Sequence, residues 1–145
     1  RNSLTKIEIE DAEGNWTKVY ARVDIAELAT MLPDPPKRVR FLSPFDPLIR
    51  DRKRTKRLFG FDFKIEIFIP ERKREFGYYV CPILEGERFI GRIELKSHRD
   101  SSRLTVKGLW LEPGIILTKS LKKRIEDELN RWKNFMELNT VEWTF

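Results

Sequence analysis

The sequence SPFDPLIRDRKRTKRLFGF, residues 43–61, joins a proline-rich turn, a run of cations and an aromatic segment without a break. Six of the eight residues of Arg50–Arg57 are Arg or Lys and only Asp51 opposes them, so this run has a net charge of +5. The whole chain has a formal net charge of +6. Pro44 and Pro47 fix φ just before the run. The aromatic residues after it are expected to be buried, and Phe45, before it, is expected to have a structural role as they do. We therefore expect the fold to hold the run in place.

A run of cations that the fold holds in place predicts an anionic partner, and nucleic acid is the most common large anion. Two other interpretations remain open, a solvated surface without a partner and a module that binds an acidic protein. The candidate DNA contacts are the cations of the run, followed by a second basic cluster. They are Arg50, Arg52, Lys53, Arg54, Lys56 and Arg57 in the run, and Arg72, Lys73 and Arg74 in the second cluster.

The length of 145 residues predicts one main globular domain with a core of its own. The single cysteine, Cys81, excludes an internal disulfide and lies in an apolar run, so we expect a buried thiol. No apolar run approaches the roughly 20 residues that cross a bilayer, and no signal peptide is apparent. We expect a cytoplasmic protein without a membrane partner. Because the chain begins with Arg1 instead of Met, we also expect it to be a piece of a longer protein.

The first third of the chain predicts a β-hairpin followed by a short helix. Apolar residues alternate over residues 6–10 and 16–20, and Glu13-Gly14-Asn15 between them is typical of a turn. Asp24 is a candidate N-cap for a helix that begins at Ile25. Pro33 should end this helix, and residues 33–37 are the best candidate for a linker.

The rest of the chain predicts an α+β domain. Strands are expected over residues 39–42, 64–69, 77–84, 88–96 and 103–111. The connections between the last three are too short for crossover helices, so residues 64–111 should form an antiparallel sheet, curled or barrel-like. Apolar residues then recur every three or four positions from about Ser120 to Phe135, which predicts a helix packed on the sheet. Residues 141–143 should form a terminal strand.

The sequence offers few candidates for catalysis. One histidine and one cysteine are too few for a Cys/His zinc site, and the seven glycines form no nucleotide-binding fingerprint. We therefore expect no metal and no cofactor. Glu66 and Glu94 either form an acid–base pair across neighbouring strands or neutralise nearby cations. A small enzyme that uses Glu66, Glu94 or His98 thus remains an alternative to a binding protein.

Short segments spread over residues 38–113 carry a family resemblance. They are RFLSPFDPL at 40–48, DR at 51–52, LFGF at 58–61, the segment from Glu66 to Pro70, GYYV at 77–80 before Pro82, GR at 91–92, and Lys96 and Arg99. Together they resemble the C-terminal part of the winged-helix DNA glycosylases of the YcaQ-like family, which act on alkylated bases and interstrand crosslinks. The hairpin over residues 6–20 and the helix after Asp24 are similar to the wing and exit of that family's last winged-helix unit.

This resemblance implies a protein that acts on double-stranded DNA. It implies that residues 1–36 end a winged-helix unit and that residues 37–145 form a C-terminal α+β domain. The chemistry of the family is assigned to a Gln-x-Gln or Gln-x-Asp motif, but this sequence contains no glutamine. Either the motif lies upstream of Arg1, in winged-helix domains of the same parent chain, or this relative has lost it. We therefore assign no catalytic residue and expect sequence-independent contacts with the DNA backbone.

Overall fold

A five-stranded sheet with one long helix across it forms the main body of the protein, in a computed structural model that describes residues 3–145. The elements are β1 (Leu4–Glu10), β2 (Trp16–Arg22), α1 (Ile25–Met31), β3 (Val39–Phe41), α2 (Pro47–Arg50), α3 (Arg52–Phe59), a 3-10 turn (Glu71–Lys73), β4 (Val80–Glu85), β5 (Arg88–His98), β6 (Arg103–Leu111), α4 (Lys119–Phe135) and β7 (Thr140–Trp143). Strands β3 to β7 lie side by side in chain order, and β1 and β2 form a separate hairpin.

The main sheet is antiparallel from β3 to β6, and β7 runs parallel to β6 at its edge. The pairing register shifts between Ile83 and Leu84 and again between Glu94 and Leu95. Such irregularities bend a strand and increase the local twist, which is consistent with a curled sheet. The prediction of an α+β fold with a curled antiparallel sheet is therefore confirmed.

The main core lies between the sheet and α4. The sheet contributes Val39, Phe41, Cys81, Ile83, Ile90, Ile93, Leu95, Leu104 and Val106, and α4 contributes Leu121, Ile125 and Leu129. The helix begins where the Leu121 N–H donates a 3.1 Å hydrogen bond to the Thr118 hydroxyl. Burial raises the pKa of the Cys81 thiol to about 12, so this thiol is protonated and unreactive at neutral pH.

The strand expected over residues 64–69 is absent, which corrects the prediction. Residues 61–66 have no regular structure and residues 67–69 form a turn, closed by a 2.9 Å hydrogen bond from the Ile69 N–H to the Glu66 carbonyl. The alternation of isoleucines in this segment is typical of a strand. Here, however, the buried side chain of Glu66 bonds to backbone amides about ten residues further along the chain, and this anchors an irregular loop.

The N-terminal hairpin and α1 lie largely outside the core, because none of the described residues before Val39 is buried. Helix α1 begins at Ile25 as predicted, but Asp24 does not cap it with its side chain. That carboxylate instead accepts hydrogen bonds of 3.0 and 2.6 Å from Arg22. The tip of the hairpin meets α3, where the Ala12 N–H donates a 2.8 Å hydrogen bond to the Arg57 carbonyl. Within the described residues, no helix is both long and apolar enough to cross a membrane.

Two substitutions on α4 test whether this helix closes the core. Leu129 is 1% exposed and Phe135 is 87% exposed, although both lie on the same helix. Leu129→Ala should lower the free energy of unfolding by about 2–5 kcal/mol, because it leaves a cavity. Phe135→Ala should change it by less than about 0.5 kcal/mol. Urea denaturation measures both values, and similar losses in the two variants would contradict the packing described here.

Candidate nucleic-acid interface

The run of cations is helical, and its ends are capped. The Asp51 carboxylate accepts a 3.0 Å hydrogen bond from the Arg54 N–H at the start of α3. Gly60 ends the helix with a left-handed φ of 64°, and its N–H donates to the Lys56 carbonyl. An acid at the N-terminus and cations in the last turn both suit the helix dipole. The local sequence therefore favours a helix in spite of the repulsion between its cations.

One residue inside the basic run points inward and so orients the rest. Thr55 is buried, and its hydroxyl lies 2.9 Å from the Asp51 carbonyl and 3.3 Å from the Leu48 carbonyl. Leu58 and Phe59, three and four positions later, are on the same side of the helix and half-buried. The exposed side of α3 consequently presents the cations Lys53, Lys56 and Arg57.

A small aromatic cluster holds α2 and α3 against the start of β5. Its buried members are Ile49, Phe61, Phe63 and Phe89, and the half-buried Phe59 packs against them. The ring centroids of Phe61 and Phe89 are 4.6 Å apart in a stacked arrangement, and Phe59 meets Phe89 edge-on at 5.3 Å. The burial expected for Phe61 and Phe63 is thus confirmed. The structural role expected for Phe45 is wrong, because this side chain is 56% exposed.

The nine predicted DNA-binding cations differ in what they contact within the protein. Arg54 donates to the carbonyls of Pro47 and Leu48 at 2.9 and 3.2 Å, at the end of α2. Arg74 is half-buried, donates to the Ile69 carbonyl at 2.8 Å and lies over the Tyr78 ring. These two residues therefore support the backbone.

Lys56 forms an exposed 3.3 Å ion pair with Asp62, and such pairs are weak. The other six are exposed, and within residues 3–145 their side chains have no ion pair and no hydrogen bond. They are Arg50, Arg52, Lys53, Arg57, Arg72 and Lys73. These side chains are free to bind an external anion.

The loop that carries the second basic cluster is anchored by Glu66. This buried carboxylate accepts hydrogen bonds from the backbone N–H groups of Glu75 at 2.9 Å, Phe76 at 2.8 Å and Gly77 at 3.1 Å. Burial raises the pKa of Glu66, but the three hydrogen bonds outweigh that effect and the net pKa lies below its ordinary value of 4.5. Glu66 is therefore a fixed anion at neutral pH.

Glu94 anchors the next residue of the same loop. Its buried carboxylate accepts a 2.8 Å hydrogen bond from the Tyr78 N–H, and the Lys107 amine lies 3.8 Å away. Gly77 has a positive φ of 145° and packs so closely on the Glu94 carboxylate that any Cβ would collide with it. Each acid is thus engaged by backbone donors of residues 75–78. The ion pair with Lys107 is the predicted neutralisation of a nearby cation for Glu94, although the carboxylate is buried, whereas the backbone bonds of both acids were not predicted.

A buried arginine, whose structural role was not predicted, connects the two basic segments. The Arg92 guanidinium lies between the rings of Phe61 and Phe76, 4.7 and 4.3 Å from their centroids. Its Nη2 donates to the Glu112 carboxylate at 2.8 Å and to the Asp62 carbonyl at 3.3 Å. An arginine inside the apolar strand segment Phe89–Leu95 is the sequence signal that points to such a buried contact.

Comparison with protein families identifies the chain. The sequence model of the DNA glycosylase AlkZ-like family matches residues 1–135. This chain belongs to the AlkZ-like DNA glycosylase family. The match confirms the resemblance to the YcaQ-like enzymes, and its range includes the N-terminal hairpin. Family membership makes DNA the implied partner. No solved structure matches the chain.

In this AlkZ-like chain Glu66 and Glu94 both contact the loop at residues 77 and 78, whereas His98 lies apart from Glu94. Glu66 and Glu94 bond to the loop backbone, and His98 lies at the end of β5, four residues beyond Glu94. At about 3.3 Å per residue, that separation is roughly 13 Å along the strand. The structure therefore does not bring His98 and Glu94 together. The sequence contains no glutamine, so the family's glutamine motif has no match in this chain.

The structural role of Glu66 predicts a pH-dependent effect of Glu66→Gln. A carboxyl whose pKa is lowered in the folded state stabilises the fold above its unfolded pKa, and this contribution is lost as the pH falls. At pH 7 the variant should lose about 1.5–3 kcal/mol of stability, since charged hydrogen bonds are weakened. The difference from the wild type should shrink below about pH 4.5.

Chemical denaturation at pH 7 and at pH 3.5 measures this effect. Glu71→Gln is the control, because Glu71 is an exposed acid of the neighbouring 3-10 turn. If Glu66→Gln lowers the free energy of unfolding equally at both pH values, the charge of Glu66 does not have the stabilising role described here.

Proposed function

We propose that this chain is the part of an AlkZ-like DNA glycosylase that contacts the backbone of duplex DNA without reading its sequence. The main support for this proposal is the exposed face of α3. There Lys53, Lys56 and Arg57 lie within about one helical turn, on a helix held by buried aromatic side chains. A glycosylase that repairs bases in any sequence context requires contacts of this kind, because phosphate contacts position a protein without sequence information.

The way α3 is anchored favours binding. A disordered basic tail must be ordered when it binds, and that ordering costs free energy. Here the helix is already capped at both ends, and Thr55, Leu58 and Phe59 fix its rotation. The exposed cations contribute little to folding, so their charge is available to phosphates.

The contacts within the protein rank the proposed DNA-binding residues. Lys53 and Arg57 come first, because they are exposed and unpaired among the described residues; Lys56 follows, since its pair with Asp62 is weak. Arg50, Arg52, Arg72 and Lys73 are also exposed. Substitutions of Arg54 or Arg74 should affect stability as well as binding, because both bond to backbone carbonyls.

We further propose that residues 1–36 end a winged-helix unit and that base excision is performed by winged-helix domains upstream in the parent chain. The exposed apolar side chains of the hairpin support this proposal. Leu4, Trp16 and Tyr20 lie on the same face of the hairpin and are all more than half exposed. The absence of glutamine supports it as well, because the motif to which the family's chemistry is assigned has no match here.

The salt dependence of DNA binding tests the proposed contacts. If about four phosphates are neutralised, the logarithm of the binding constant should fall with a slope near −3.6 against the logarithm of salt concentration. Affinity for a duplex should then fall roughly 150-fold between about 50 and 200 mM salt. Lys53→Ala should reduce the slope by about one unit. Fluorescence anisotropy with several unrelated duplex sequences measures all of these values.

Lys119→Ala is the matched control. Lys119 is an exposed lysine at the start of α4 and has no ion pair within the described residues, so the slope should not change. A flat salt dependence would contradict the DNA-binding proposal. Equal affinity for duplex DNA and heparin would instead favour a module that binds acidic proteins.

If domains upstream in the parent chain perform base excision, this chain alone should excise no base. Duplex containing an alkylated purine should remain intact after incubation with the purified chain, even at concentrations that saturate the DNA. Alkaline cleavage of the product followed by gel electrophoresis detects excision. Release of the base by this chain would refute an upstream catalytic site.

A further inference from the structure

Phe45 is an exposed aromatic residue on a rigid turn. The Phe45 N–H lies 3.2 Å from the Ser43 hydroxyl, and the Asp46 N–H donates to the Ser43 carbonyl at 2.9 Å. The Asp46 carboxylate then caps α2 by accepting a 2.8 Å hydrogen bond from the Leu48 N–H. Pro44 and Pro47 flank the pair and restrict its backbone further. The fold therefore presents the Phe45 ring in a defined position while leaving it 56% exposed.

A groove of about 270 Å³ lies beside this ring and combines apolar walls with two cations. Residues that line it include Phe45, Ile49, Arg50, Arg52, Phe63 and Ile65. Ile49 and Phe63 belong to the buried aromatic cluster and form rigid apolar surface. Arg50 and Arg52 are exposed, and within residues 3–145 neither forms an ion pair or a side-chain hydrogen bond.

This combination fits a flat aromatic group that is attached to an anion. Stacking on an aromatic side chain accommodates any nucleobase, because every base has a π face. Guanidinium groups bind phosphate oxygens in a planar, often bidentate arrangement. A base inside an intact duplex is stacked on its neighbours and cannot reach a protein groove, whereas an unpaired base can.

We propose that the Phe45 groove binds an unpaired nucleotide of a DNA strand, with its base stacked on Phe45 and its phosphate held by Arg50 and Arg52. The inference rests on the proposed function for the identity of the ligand. It adds a second mode of binding, which distinguishes distorted DNA from intact duplex. Arg52 is also the first residue of α3, so the groove adjoins the helix that carries Lys53, Lys56 and Arg57.

A pair of DNA ligands tests this inference, an intact duplex and the same duplex with one unpaired nucleotide in a bulge. The wild-type chain should bind the bulged duplex about 5- to 140-fold more tightly, the range given by base–aromatic stacking. Phe45→Ala should remove this preference and leave affinity for the intact duplex within about twofold. A 2-aminopurine at the unpaired position should lose fluorescence when it stacks on the wild-type protein, but not on the variant.

Three further variants keep the test decisive. Phe45→Trp should retain the preference because it keeps an aromatic face, and Phe45→Leu should lose it although it keeps apolar bulk. Phe135→Ala should behave as wild type, because it removes another exposed phenylalanine on α4, outside the groove. Thermal melts identify a variant that is unfolded, and Phe45→Leu then replaces Phe45→Ala in the comparison.

The outcomes separate this inference from the proposed function. If the wild type binds intact and bulged duplex equally, or if Phe45→Leu keeps the preference, the groove is not a nucleotide site while backbone binding still stands. If the chain binds neither DNA, both proposals fail.

Discussion

The placement of both basic segments depends on the guanidinium of Arg92 between the rings of Phe61 and Phe76. Phe61 stacks on Phe89 in the aromatic cluster beneath α3, and the Phe76 backbone donates to Glu66 in the second basic loop. One buried side chain on β5 therefore joins the two regions to the sheet. A buried cation is costly to desolvate unless it is paired. The 2.8 Å contact with Glu112 and the two aromatic faces offset that cost.

The buried acids and the exposed cations of this protein differ in their partners. The buried carboxylates all have donors: Glu66 and Glu94 accept from backbone N–H groups, and Glu128 accepts from Arg38 and Arg131 at 2.9 and 3.1 Å. Among the exposed cations of α3, by contrast, only Lys56 forms an ion pair within the described residues, and that pair is weak. The acids thus stabilise the fold, and the net positive charge is left on the outer face of α3, where it favours an anionic ligand.

Much of the architecture could be predicted from the sequence, because the relevant signals are local. Short turns made the strand order from β4 to β6 predictable, and the apolar stripe from Leu121 to Met136 gave the bounds of α4 to within a residue at its start.

Residues 64–69 have the alternation of a strand but form a loop, since the bonds that decide its shape come from Glu75, Phe76 and Gly77. The burial of a single ring is likewise a tertiary property, which is why the exposure of Phe45 was not predicted. The basic run itself was predictable, but the inward turn of Thr55, which decides which cations face outward, depends on packing.

If the outward cations of α3 contact the DNA backbone, bound duplex should protect their lysine amines from acetylation. Mass spectrometry after brief acetylation, with and without duplex DNA at low salt, reports each lysine separately. Strong protection is expected at Lys53 and Lys56, with little change at Lys119, Lys122 and Lys123 on α4. Equal protection on both helices, or protection on α4 alone, would contradict DNA contact through the outward face of α3.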